Sequence, residues 1–123
     1  MPRMARVVLP HMPHHVAQRG HNRQVVFAVA EDYERYLEDL RELSSALDIR
    51  VYEYCLMTNH VHLLLCPGEE VAAMSRLMKA LAARATRYRN RFKGRSGTLW
   101  EGRYKSSPMQ TESTCWPVRG TSN

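Results

Sequence analysis

Cysteine is scarce in this chain of 123 residues: there are three, Cys55, Cys66 and Cys115. An odd count without a C-x-x-C pair excludes a disulfide framework and a cysteine zinc site. Cys55 and Cys66 lie in apolar runs and read as small core residues. Long hydrophobic runs are also missing. No stretch approaches the roughly 18 apolar residues of a membrane span. No apolar segment follows Arg3 and Arg6 as a secretory leader requires. The expectation is a soluble protein of the cytoplasm. Repeats and low-complexity tracts are absent, so nothing points to a repeat architecture. At 44% hydrophobic and 24% charged residues, the chain is one ordinary globular domain with a modest core.

Acidic residues are scarce in the second half. Residues 70–123 hold eleven Lys/Arg against three Asp/Glu, whereas residues 1–69 hold seven against nine. A basic half joined to a near-neutral half is the electrostatic footprint of a nucleic-acid binder. The alternative at this point is a solvated basic helix face.

The hydrophobic period then gives the elements. His14 to Arg19 form a short strand, and Gly20-His21-Asn22 is a turn signal. Tyr33, Tyr36, Leu37, Leu40, Leu43 and Leu47 recur at helical spacing and predict a helix over 31–47, with Glu31 and Asp32 favoured at its start. Ile49 to Met57 and His60 to Cys66 read as two strands joined tightly at Thr58-Asn59, which predicts a hairpin. Residues 71–92 predict a longer amphipathic helix whose apolar stripe runs from Val71 to Phe92. Arg76, Arg84, Arg87 and Arg91 fall on its outer side, with Lys79 and Arg89 nearby. A last strand is expected from about Arg103 to Gln110. The order β-α-β-β-α-β predicts an α+β fold of ferredoxin-like or RRM-like type, an antiparallel sheet with two helices on one face.

Three motifs carry chemistry. His60-Val61-His62 lies on a strand, so both imidazoles project from one face while Val61 and Leu63 face the other. Two convergent histidines can hold a divalent ion with a third ligand from elsewhere. The bland alternative is a pair of surface histidines. The basic helix and the following Trp100-Glu101-Gly102-Arg103-Tyr104-Lys105 offer cations for phosphates and aromatics for stacking. This nominates Arg76, Lys79, Arg84, Arg87 and Arg91, then Trp100, Arg103 and Lys105, as DNA contacts. For Trp100, plugging the core edge is the competing role. Near the N-terminus, Arg19 and Arg23 suit phosphate contacts, and His15 reads as a structural strand residue.

Pro13-His14-His15-Val16-Ala17-Gln18-Arg19-Gly20-His21-Asn22-Arg23-Gln24 is similar to the opening block of the REP-associated tyrosine transposases, which group with the single-tyrosine insertion-sequence transposases. Leu56-Met57-Thr58-Asn59-His60-Val61-His62-Leu63-Leu64 resembles that family's metal block, with Thr58 in place of the usual proline. Ser75-Arg76-Leu77-Met78 and the stretch from Gly97 to Ser106 resemble two further blocks. The resemblance implies the HUH-nuclease variant of the ferredoxin-like fold. It implies His60 and His62 as ligands of Mg²⁺ or Mn²⁺, and a hairpin with a flanking single strand of DNA as substrate. A tyrosine on a C-terminal helix would attack the scissile phosphate, leaving a 5′-phosphotyrosine link and a free 3′-OH. A homodimer is among the states the family adopts. A non-catalytic RRM-like binding module and a water-using metal nuclease remain the alternatives.

The family's tyrosine block is not found. Of Tyr33, Tyr36, Tyr52, Tyr54, Tyr88 and Tyr104, none stands in such a block, and Tyr104 is the first substitute to consider. The expected division is therefore a transposase-like domain over 1–112 and an aberrant tail over 113–123. Back-translation of that tail, read two bases later with suitable synonymous codons, spells H-L-L-A-C-A-R-Y-I-E, which matches the missing block. A frameshift near codon 113 accounts for this.

Overall fold

The computed structural model describes residues 7–109. The tail expected over 113–123 lies outside the described residues, as does Cys115. Strand β1 (His14–Arg19) leads through a 3-10 turn at His21–Arg23 to helix α1 (Ala30–Ala46). Strands β2 (Ile49–Met57) and β3 (His60–Pro67) form the hairpin, helix α2 (Ala72–Phe92) follows, and strand β4 (Lys105–Pro108) ends the described chain. The sheet order is β2-β3-β1-β4 with every neighbouring pair antiparallel. Each helix thus crosses over one intervening strand, the split βαβ arrangement of the ferredoxin-like fold. The expected fold class is the observed one. No described helix is long and apolar enough to cross a membrane.

The start of α1 is set by a side chain. Asp32 Oδ2 accepts the backbone N–H of Ala28 at 2.7 Å and of Val29 at 3.1 Å, satisfying donors that a helix start leaves unpaired. Lys93 Nζ, just past α2, lies 3.1 Å from the other carboxylate oxygen, so the same residue ties the two helices together. Burial pushes the Asp32 carboxyl up, but these donors and the Lys93 charge outweigh it and hold it below its ordinary value.

One face of the sheet meets the helices. Val16 of β1 and Val61, Leu63 and Leu65 of β3 are fully buried against Met74, Leu77, Met78 and Leu81 of α2 and Tyr36 and Leu40 of α1. Burying each such side chain contributes about 1.5–3 kcal/mol. The alternate residues, His15, Ala17 and Arg19 on β1 and His60, His62 and Leu64 on β3, lie on the open face. The sequence-based placement of Arg89 beside the outer basic stripe needs correction: it is 7% exposed. It reaches Gln24 Oε1 at 2.7 Å and the carbonyls of Ser96 and Gly97 at 3.2 and 3.0 Å, because the loop after α2 folds back over it.

His14 is fully buried and anchors the N-terminal segment. Its Nδ1 lies 2.7 Å from Met12 O, and its Nε2 accepts the Leu9 N–H at 3.1 Å. This pattern requires a neutral ring with the proton on Nδ1. Burial pushes its pKa below the ordinary 6.5, outweighing the Met12 bond that raises it. The unfolded chain therefore binds the proton more readily. The stability from neutral His14 is complete above about pH 6.5 and is lost as pH falls through the lower folded value. We predict a lower urea midpoint at pH 5 than at pH 7.5. His14→Gln should cost about 1–3 kcal/mol at pH 7.5 and flatten the pH slope; an unchanged slope in the variant would contradict the assignment.

Candidate metal and nucleic-acid site

Register brings the chemistry-bearing residues into rows on the open face. Cys55 of β2 stands opposite His62, His62 opposite Ala17, and Ala17 opposite Lys105, so one row crosses all four strands. The next row places Met57, His60 and Arg19 side by side. Ala17 is the small member, and its methyl floors a cleft between the histidines and β4. That cleft, of about 350 Å³, is lined by Ala17, Gln18, Arg19, His60, His62, Glu101, Gly102, Arg103 and Lys105.

The wall opposite the histidines is fastened by backbone. The Glu101 N–H donates to Arg19 O at 2.9 Å, and the His21 N–H donates to Leu99 O at 2.9 Å. Gln24 Nε2 donates to Thr98 O and Leu99 O at 3.0 and 3.2 Å, with Arg89 holding its other end. Gly20 is required where this wall meets β1. Its N–H donates to Asn59 O at 2.8 Å, and a Cβ there would stand 2.6 Å from Gln24 O. The backbone approach leaves no room for a side chain.

The histidines are arranged as a linked set. His60 Nδ1 lies 2.8 Å from Asn59 Oδ1. His62 Nδ1 lies 3.2 Å from His15 Nε2, with the two rings stacked at 5.3 Å. The His60 and His62 rings meet edge to face at 4.9 Å. Burial pushes all three below the ordinary imidazole value; Arg19 adds to this for His60, and His60, His15 and Arg19 add to it for His62. They are neutral at pH 7, the state that metal ligation requires. With Nδ1 of His60 bonded to Asn59, Nε2 is the ring nitrogen left to meet a ligand. Two neutral imidazoles on one face fit a divalent ion as part of a ligand set. Among the described residues no group of three His, Cys, Asp or Glu side chains completes a metal site.

The structure divides the nominated DNA contacts. Arg19, Arg103 and Lys105 join His60 and His62 in the cleft. Arg23 is exposed on the adjoining turn but does not line it. Arg84, Arg87 and Arg91 line a different groove of about 600 Å³ in the helical layer, together with Arg35, Asp39, Tyr88, Asn90 and Phe92. The sheet separates this groove from the histidines. Arg84 is bound to Asp39 at 3.1 Å and Glu42 at 2.9 Å, and Arg76 sits 3.6 Å from Glu70, so both are partly neutralised. Lys79 is exposed on α2 outside both cavities.

Two nominations fail on burial. Trp100 is 5% exposed and packs 6.3 Å from Tyr36, so its ring is core and not a platform for a base. Tyr104 is 7% exposed, which removes it as a substitute nucleophile. Sequence reasoning also missed residues. His15 was assigned to structure, yet its odd position in β1 shares the open face with His62 by simple alternation. Glu101 joins the cleft through the Arg19–Glu101 backbone bond, which no local pattern announces. Arg35 lies on the polar side of α1 and joins a basic groove only through α2.

Comparison with known proteins bears on the fold and the family. No curated protein matches the chain. Among solved structures, a REP-associated tyrosine transposase bound to a REP hairpin superposes with a TM-score of 0.66 at 10% identity, over 90% of this chain and 64% of that one. The chain thus spans less than two thirds of that protein's length. A candidate transposase from Deinococcus radiodurans R1 superposes with a TM-score of 0.67 at 20% identity, over 91% of this chain and 89% of that one. At these identities the likeness is one of fold. The family profile described as IS200-like transposase matches residues 9–116, which takes in His60, His62 and every described strand and helix. The chain belongs to the IS200-like transposase family.

Proposed function

We propose that this chain is a transposase domain that binds hairpin and single-stranded DNA and holds a divalent ion at His60 and His62, without forming the phosphotyrosine link. The observation that carries the reading is the cleft itself: two neutral imidazoles share about 350 Å³ with the side chains of Arg19, Arg103 and Lys105. A metal-ligating pair beside three cations is what a phosphodiester needs, since the cations orient its oxygens and offset its charge. A divalent ion bound there supplies Lewis-acid polarisation of a phosphate oxygen. Imidazole donors favour Mn²⁺ over Mg²⁺, which prefers oxygen ligands and retains its waters.

The helical groove serves a second stretch of DNA. Arg35 stacks on Tyr88 at 5.0 Å, Arg91 on Phe92 at 5.5 Å, and Phe92 is 62% exposed. Guanidinium and ring faces of this kind suit phosphates and unpaired bases. Because the sheet lies between the two surfaces, the strand seated at the histidines is not the segment held by α2. That a REP hairpin accompanies the similar transposase supports a structured DNA ligand.

We place the domain over 1–112 and attribute the tail over 113–123 to a shifted frame, while the family match itself runs on to residue 116. In this reading the tyrosine and the third ligand of the family are missing from the chain. A second reading has one observation in its favour. Glu101 lines the same cleft and supplies a carboxylate to take a proton from water, so hydrolysis needs no tyrosine.

Two measurements test these statements. With a 3′-labelled hairpin DNA and Mn²⁺, the chain should shift the DNA on a native gel and yield neither a cut strand nor a covalent adduct. A cut strand free of protein supports the Glu101 reading, and an adduct contradicts the absence of a nucleophile. In salt titrations of binding, Arg19→Ala and Arg103→Ala should each lower the slope of log K against log salt by about 1. Arg76→Ala, at a residue outside both cavities and paired with Glu70, should leave the slope nearly unchanged; an equal effect of all three would contradict the assignment of Arg19 and Arg103 as phosphate contacts.

A further inference from the structure

His15 is bonded to a candidate ligand without being placed to complete the ligand set. It stands opposite Leu64 in the register, one pair along from His62 on the same face. Diagonal neighbours of this kind are about 7–8 Å apart at Cα, within reach of aromatic side chains. The His15 ring leans back across that gap, stacks on His62 and brings Nε2 to 3.2 Å from His62 Nδ1. A bond between two neutral imidazoles needs one donor and one acceptor.

We propose that His15 is a positioning residue for the metal site: it accepts the Nδ1 proton of His62 and so leaves Nε2 of His62 as the ligating nitrogen. The proposal rests on the metal reading above. Asn59 does the same for His60, since an amide oxygen 2.8 Å from Nδ1 accepts the proton there. The two partners come from different elements, β1 and the β2–β3 turn, and fix both rings in one tautomer. Such outer partners orient a ligand and raise its basicity. An accepting Nε2 leaves the proton of a neutral His15 ring on Nδ1.

The test separates hydrogen bonding from packing. His15→Phe keeps a stacked ring and removes the acceptor; His15→Gln restores an acceptor oxygen without the ring. In calorimetric titration with Mn²⁺, His15→Phe should bind about 10- to 100-fold more weakly than the unaltered chain, and His15→Gln should recover most of the loss. In the metal-free protein, ¹⁵N ring shifts should show His62 as the Nδ1–H tautomer, and that bias should disappear in His15→Phe at an unchanged melting temperature. Equal weakening in both variants, or Mn²⁺ binding and a His62 tautomer indifferent to His15→Phe, overturns the proposal alone. If the unaltered chain binds no Mn²⁺, the metal reading fails and the proposal fails with it.

Discussion

The alternation of β3 is the constraint on which the site depends. Val61, Leu63 and Leu65 are fully buried beneath the helices, and that burial fixes which way the intervening residues point. A slip of one residue would drive His60 and His62 into the core and expose three aliphatic side chains. Several kcal/mol of apolar burial therefore hold the histidines on the open face. The same pairing puts Ala17 beside His62 and Arg19 beside His60, so a cation flanks the pair and a methyl group leaves space in front of it.

The second wall of the cleft is built differently. The segment from Leu99 to Lys105 has little regular structure, yet both of its ends are fixed. Leu99 and Trp100 are buried, the Glu101 amide is bonded to Arg19, and Lys105 is paired with Ala17. Arg89 contributes from α2 by gripping Gln24 and the loop carbonyls, so a buried cation in the helical layer shapes a wall of the site on the other side of the sheet. The helical period alone places this arginine only near the outer basic stripe. Its guanidinium is satisfied by oxygens of the protein, which is what permits its burial.

Most of the fold was legible because each element carries its own period. The hairpin at Thr58-Asn59 and both helices fall within a residue or so of their expected bounds. Among the described residues the last strand covers Lys105–Pro108, starting two residues later than expected, since these are the residues that pair with β1. His60 and His62 were legible because an i, i+2 pair on a strand shares a face. His15, Asn59 and Glu101 were not, because their places depend on register between distant strands and on backbone bonds that no local pattern encodes. Trp100 and Tyr104 misled for the related reason that an aromatic beside basic residues reads equally as a stacking platform or as core. Only the packing against Tyr36 decides between these for Trp100.

The open-face cleft, and not the basic helical layer, is the proposed seat of a divalent ion. The most direct measurement is paramagnetic broadening of ¹H–¹⁵N signals as Mn²⁺ is added in substoichiometric amounts. The account predicts that signals from Ala17, Arg19, His60, His62 and Arg103 fade first while those of Arg84, Arg87 and Arg91 persist. Uniform fading, or fading that begins in α2, would contradict it.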